Sequence, residues 1–184
     1  MKLWLIRHAP VALPDGLCYG ISDAPARADA TADAARAVAA ALPRHVPVWV
    51  SGLMRSQQLA AALQRERADL GAARVDNRLN EMDFGQWEMQ PWAAIPKAAF
   101  DTWMADFADH RFGGEESTQQ VIDRVASLII DLHGAGVQEA AWITHAGVIR
   151  AALYLKRHGP RRIAAATEWP RDAAPQGGWI ELAF

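Results

Sequence analysis

Cysteine is almost absent from this chain: Cys18 is the only one in 184 residues. That excludes an intrachain disulfide framework and any Cys-rich zinc site, and it fits a reducing compartment. An excess of one charge is missing too. Nineteen Lys and Arg against 21 Asp and Glu leave a formal net charge of -2. No global field of that size would hold nucleic acid or an anionic membrane, so neither is expected as a partner. Long apolar runs are lacking. The first, Leu3 to Ile6, is cut short by Arg7 and His8, too soon for a signal peptide. None approaches the roughly 20 apolar residues of a membrane span. The expectation is a soluble cytoplasmic protein. Several motifs are also missing. There is no GxxxxGK[ST] phosphate loop, no G-x-S-x-G nucleophile elbow, and no HExxH or Asp-rich set beside the histidines. Neither a metal nor a cofactor is expected.

What is present suits a packed core: 51% hydrophobic and 22% charged residues in a length ordinary for one domain, residues 1–184. Short β-branched or apolar runs at Leu3–Ile6, Val46–Val50 and Ala140–Thr144 read as buried strands, with a short one at Ala73–Val75 and an edge strand over Gly178–Phe184. Ala28–Leu42, Met54–Leu70 and Val148–Lys156 read as helices. So does the stretch from Ser117, where Ser117 and Gln120 form a capping-box pair and apolar residues recur from Val121 to Leu132 at the helical period, up to Gly134 and Gly136. Residues 10–27 read as loop. Residues 79–114, rich in Gly, Pro and aromatics, read as a covering segment with one or two helices. The alternation predicts a three-layer α/β/α sandwich around a mainly parallel sheet.

In such sheets, sites form beyond the carboxyl ends of the strands. Arg7–His8 follows the first strand, Ser51 to Arg55 the second, and Thr144–His145 the third main one. Two arginines and two histidines thus converge on one sheet edge. A phosphate dianion matches that set: arginine offers a planar fork of donors and stays charged. A neutral histidine can attack phosphorus, and a second can donate to a phosphate oxygen. His145-Ala146-Gly147 opens a helix, whose backbone N–H groups suit an anion. Glu81 in the covering segment can supply the proton for the leaving oxygen. His45, His110, His133 and His158 lie in polar contexts and carry no functional reading. Taken singly, each strand-end group also reads as a solvated loop start; their coincidence favours the site.

These residues fall in an ordered set of motifs: Leu5-Ile6-Arg7-His8-Ala9, Ser51-Gly52-Leu53-Met54-Arg55-Ser56-Gln57-Gln58-Leu59, Leu79-Asn80-Glu81 through Glu88, Gly113-Gly114-Glu115-Glu116-Ser117, and Ile143-Thr144-His145-Ala146-Gly147-Val148-Ile149-Arg150. In this the sequence resembles the histidine phosphatase superfamily, whose fold is phosphoglycerate mutase-like. The resemblance implies a phosphohistidine nucleophile at His8, a phosphate pocket of Arg7, Arg55 and His145, and a general acid at Glu81. Its substrate would be a small-molecule phosphate monoester. LNEMDFGQWE followed by Met89, and Leu17 to Asp23, are most similar to α-ribazole phosphatases of cobalamin assembly; the second stretch puts Tyr19 and Gly20 among the substrate-binding candidates with Ala146. The chain departs from the family pattern at Ala9 and Gly52, and at Pro14, where many members carry a phosphate-contacting Asn. A broad sugar- or nucleotide-phosphate phosphatase, or a phosphate-ester binding protein with little turnover, stays open as an alternative. Oligomeric state is not legible. Eight Trp beside two Tyr add a question: Trp92 and Trp103 either pack the covering segment or stack on a flat leaving group.

Overall fold

The computed structural model describes all 184 residues. β1 (Lys2–Arg7), β2 (Val48–Val50), β3 (Arg74–Val75), β4 (Glu139–Thr144) and β5 (Trp179–Ala183) form one sheet in the order β3-β2-β4-β1-β5. Only β5 is antiparallel; it pairs Ile180 with Leu5 at the edge. Helices α1 (Ala28–Ala41) and α2 (Met54–Glu66) pack against each other, as do α4 (Thr118–Gly134) and α5 (Ala146–His158). The period of two along the strands explains the two cores. Leu3 and Leu5 of β1, with Trp142 of β4, belong to the cluster that includes Val121, Ile122 and Val148. Trp4 and Ile6, with Ile143, belong to the one that includes Val38 and Leu59. The three-layer expectation is met.

Element ends differ by a few residues where side chains intervene. The second helix stops at Glu66 rather than Leu70 because Arg67 turns back. Its guanidinium donates to the carbonyls of Ala39, Leu42 and Pro43 and pairs with Asp69. The second strand is shorter than expected, Val48–Val50, and α5 begins two residues earlier, at Ala146. The Ser117–Gln120 capping box is formed in both directions. The segment over residues 79–114 contains one α-helix, α3 (Lys97–Ala105), after two 3-10 turns at Gly85–Trp87 and Trp92–Ala94. It seals the larger core through Leu79, Met82, Ile95, Phe107 and Phe112. No helix is long and apolar enough to cross a membrane.

Candidate active site

The parallel register sets the site. Arg7 of β1 lies opposite Thr144 of β4, and Val50 of β2 opposite Ile143. His8 N–H extends the ladder to Thr144 O at 3.0 Å, and Ser51 N–H to Ile143 O at 3.1 Å. The residues that follow the three strands therefore emerge side by side, and the His8 and His145 rings lie 5.1 Å apart between centroids. Arg7, His8, Tyr19, Arg55 and Glu81 line one cavity of about 190 Å³, joined by Leu17, Phe84, Trp92 and Arg150.

His8 is buried, and its Nδ1 lies 2.7 Å from Ala9 O. A carbonyl can only accept, so Nδ1 carries the hydrogen and Nε2 keeps its lone pair. Burial, reinforced by the Arg55 and Arg7 charges, pushes the His8 pKa down to about 3. The ring is neutral over the ordinary pH range.

Arg55 is wholly buried. One terminal nitrogen donates to Ser22 O at 2.7 Å, the other to Gly20 O at 2.6 Å, and Nε donates to His145 Nδ1 at 3.3 Å. The Tyr19 ring lies under the guanidinium at 5.4 Å. Arg7 reaches Ala174 O at 3.3 Å, while its Nε is buried with no partner. Burial lowers both guanidinium pKa values, yet both remain cations. Neither they nor Arg150 takes part in an ion pair within 4 Å.

Glu81 is held from two sides: Gly147 N–H donates to Oε2 at 3.0 Å, and its neighbour Met82 N–H donates to Oε1 at 3.0 Å. Thr144 Oγ1 donates to Leu79 O, and Asn80 Oδ1 accepts from Ser51 Oγ and Gly52 N–H. This pins the Glu81 segment to the sheet edge. The Gly52 departure acquires a reason here, since proline could not give that N–H.

At three positions the geometry differs from the reading of the sequence. His145 has no free ring nitrogen: Nδ1 accepts from Arg55, and Nε2 donates to Ser51 Oγ at 2.8 Å. It orients Arg55 rather than offering a donor to the cavity. Gly20 does not line the cavity; its carbonyl holds Arg55 and its N–H meets Glu88. Ala146 is buried outside the lining, and the Gly147 N–H at the start of α5 is already taken by Glu81 Oε2. Of the other departures, the Ala9 side chain is buried in the smaller core, and Pro14 is exposed and outside the cavity. Cys18 is inert: burial pushes its thiol up to about 12.

Two residues escaped the sequence reading. Arg150 lines the cavity. Glu88 accepts the N–H groups of Gly20, Ile21, Ser22 and Phe84 at 2.9 to 3.1 Å, together with Ser22 Oγ. It thereby grips, from the amide side, the loop whose carbonyls grip Arg55. Both residues stood inside recognised motifs, but nothing in their spacing pointed to a partner. No group of three His, Cys, Asp or Glu side chains is placed to hold a metal ion.

The sequence model of the histidine phosphatase superfamily (branch 1) matches residues 3–168. The chain belongs to this superfamily. Among curated proteins, this member of the superfamily is similar to "Putative phosphoserine phosphatase 2" of Hydrogenobacter thermophilus, 30% identical over 84 residues. That match spans 44% of this chain and 41% of the relative's length. The crystal structure of TTHB049 from Thermus thermophilus superposes with a TM-score of 0.74 at 26% identity, over 99% of this chain and 93% of that one. Phosphoglycerate mutase from the same organism gives 0.73 at 25%, over 99% and 92%. The mycobacterial glucosyl-3-phosphoglycerate phosphatase Rv2419c in its VO3 complex, at 22% identity, shares the fold with a TM-score of 0.80, over 99% and 92%.

Proposed function

We propose that the protein is a metal-independent phosphomonoesterase that works through a phosphohistidine at His8. The observation that carries this is the pairing in one cavity of a neutral imidazole, its Nε2 lone pair set free by the Nδ1–H bond to Ala9 O, with the Arg7 guanidinium, whose buried Nε has no partner. A buried unpartnered donor on a cation is costly unless an anion arrives.

The substrate phosphoryl group meets Arg7 and the free hydrogens of Arg55. His8 Nε2 attacks phosphorus, and the bond from phosphorus to the ester oxygen breaks. Glu81, protonated at that moment, gives its proton to the departing alkoxide. A water then attacks the phosphohistidine, and Glu81 takes its proton. The P–N bond breaks, the electron pair returns to Nε2, and inorganic phosphate leaves. The arginines stabilise the charge spread over the phosphoryl oxygens in both transfers. His145 acts as a positioning residue for Arg55.

For the substrate we propose α-ribazole 5′-phosphate, in cobalamin assembly in the cytoplasm. Support comes from the resemblance of LNEMDFGQWEM to that group and from Trp92 beside the phosphate site. The similarity to a protein named as a phosphoserine phosphatase favours a second reading, a phosphatase of small phosphate monoesters. Brief incubation with labelled phosphate ester in EDTA, followed by denaturation, is the test. An acid-labile, base-stable label on the wild type, absent from His8→Ala, supports the mechanism. Ordinary turnover by His8→Ala rejects it. A panel of esters that includes α-ribazole 5′-phosphate and phosphoserine separates the two substrates.

A further inference from the structure

Two further spaces share lining residues with the phosphate cavity beside His8. Glu81, Phe84 and Arg150 also line a second cavity of about 100 Å³, whose walls include Trp103 and Trp169. Trp103, Trp169 and Arg150 in turn line a groove of about 570 Å³, together with Met104, Phe107 and Pro170. Glu81, the proposed acid, thus lines both the phosphoryl site and the space beside it.

The groove is aromatic. The Trp103 ring stacks on Phe112, at 4.4 Å, and on Phe107, at 5.4 Å, and its Nε1 donates to Thr118 Oγ1 at 3.2 Å. Trp169 meets Phe107 edge-on at 6.1 Å. Neither indole is fully covered, and Met104 is 46% exposed. Arg150 borders all three spaces, and its one side-chain hydrogen bond goes to Arg171 O at 3.3 Å. An arginine without a carboxylate has donors left for oxygen atoms of a linker.

We infer that this groove is the leaving-group subsite, with Trp169 and Trp103 as its walls and Arg150 at its mouth. The class of substrate is a phosphate ester whose leaving group carries a flat aromatic ring beyond an oxygen-bearing linker. This rests on the phosphatase reading above and adds Trp169 and Arg150 as specificity-determining residues.

Matched probes test it: ribose 5-phosphate, and two esters with a ring on that sugar, adenosine 5′-monophosphate and α-ribazole 5′-phosphate. Base-on-aromatic stacking of ~1–3 kcal/mol corresponds to about 5- to 150-fold in affinity. At least one ring-bearing ester should therefore have a KM about tenfold or more below that of ribose 5-phosphate. In Trp169→Ala the ratio of the two KM values should fall toward one, and Trp169→Phe should restore much of it. Dissociation constants measured on His8→Ala read the same ratios without turnover. Equal binding of ringed and ringless esters by the wild-type groove, or an unaltered ratio in Trp169→Ala, overturns the subsite. The phosphohistidine trap with an aryl phosphate reports the phosphatase reading separately.

Discussion

Gly147 N–H donates to Glu81 Oε2 at 3.0 Å, and a β-carbon on Gly147 would lie 2.3 Å from Glu81 Oε1. Only glycine lets the first turn of α5 approach the carboxylate this closely. In Gly147→Ala the carboxyl must turn away. The expected result is a fall of about tenfold or more in kcat/KM for alkyl phosphates, which need a proton on the leaving oxygen, and a much smaller fall for p-nitrophenyl phosphate, which does not. Glu81→Gln should show the same split. Equal losses on both substrates would place Glu81 in binding instead.

Arg7 and Arg55 should fail differently when replaced by lysine. Arg55 spends donors on three protein acceptors; an ammonium cannot reach all three, and an unsatisfied buried group costs about 1–3 kcal/mol. Arg55→Lys should therefore lower both the melting temperature and kcat/KM. Arg7 has one protein acceptor and an unpartnered Nε, so Arg7→Lys should lose kcat/KM with a smaller change in melting temperature. Full kcat/KM in Arg55→Lys would refute its contact with the phosphoryl group.

Glu88→Gln tests the loop that holds Arg55. The carboxylate receives N–H groups on both oxygens, and an amide nitrogen would face donors instead of accepting from them. Loss of one or two charge-assisted bonds predicts about 2–4 kcal/mol of stability. Because Gly20 O and Ser22 O would shift beneath Arg55, kcat/KM should fall for alkyl and aryl phosphates alike, unlike in Glu81→Gln. Urea titration and a two-substrate assay read both effects.

The buried histidines also set a pH dependence. His8 titrates at about 3 in the fold and at about 6.5 unfolded. Between those values the unfolded chain holds the extra proton, so stability is full above about pH 6.5 and is lost as pH falls toward 3. At pH 5 the loss from His8 alone is about 2 kcal/mol. His145, also held well below 6.5 by burial and by Arg55, acts in the same direction. Urea unfolding at pH 7.5 and 5.0 should show a smaller drop for His8→Asn than for the wild type; equal drops would mean that the His8 ring is protonated in the fold.

The strands and the residues at their ends were legible because local pattern determines them. Leu3–Ile6 and Ala140–Thr144 are apolar enough to be buried on both faces, and a parallel sheet then aligns their carboxyl ends. The partners of those end residues were not legible. Nothing near His145 in the chain says that Arg55 and Ser51, about ninety residues away, would occupy both ring nitrogens. The start of α5 reads as free to bind a substrate anion, but its Gly147 N–H is held by a side-chain oxygen from another segment, Glu81 Oε2. Trp103 meets the packing reading, on Phe112 and Phe107, and it also lines a groove. Trp92 lines the inner cavity near Phe84. Trp169 lay outside the segment suspected of covering the site, so composition gave it no special standing.

The strand order carries a consequence for assembly. β1 pairs only with Glu139–Thr144 and Trp179–Ala183, so its first partner lies more than 130 residues further along. Such pairings bear a large loop-closure cost and form slowly. During synthesis Leu3–Ile6 has no sheet to join until β4 exists, and the ring of His8 has no neighbour in His145. Nor has Arg55 the His145 imidazole that orients its Nε until both halves meet. A chain truncated before β4 should therefore have no measurable affinity for inorganic phosphate, and the onset of phosphate binding in a refolding experiment should coincide with the closing of β1 between β4 and β5.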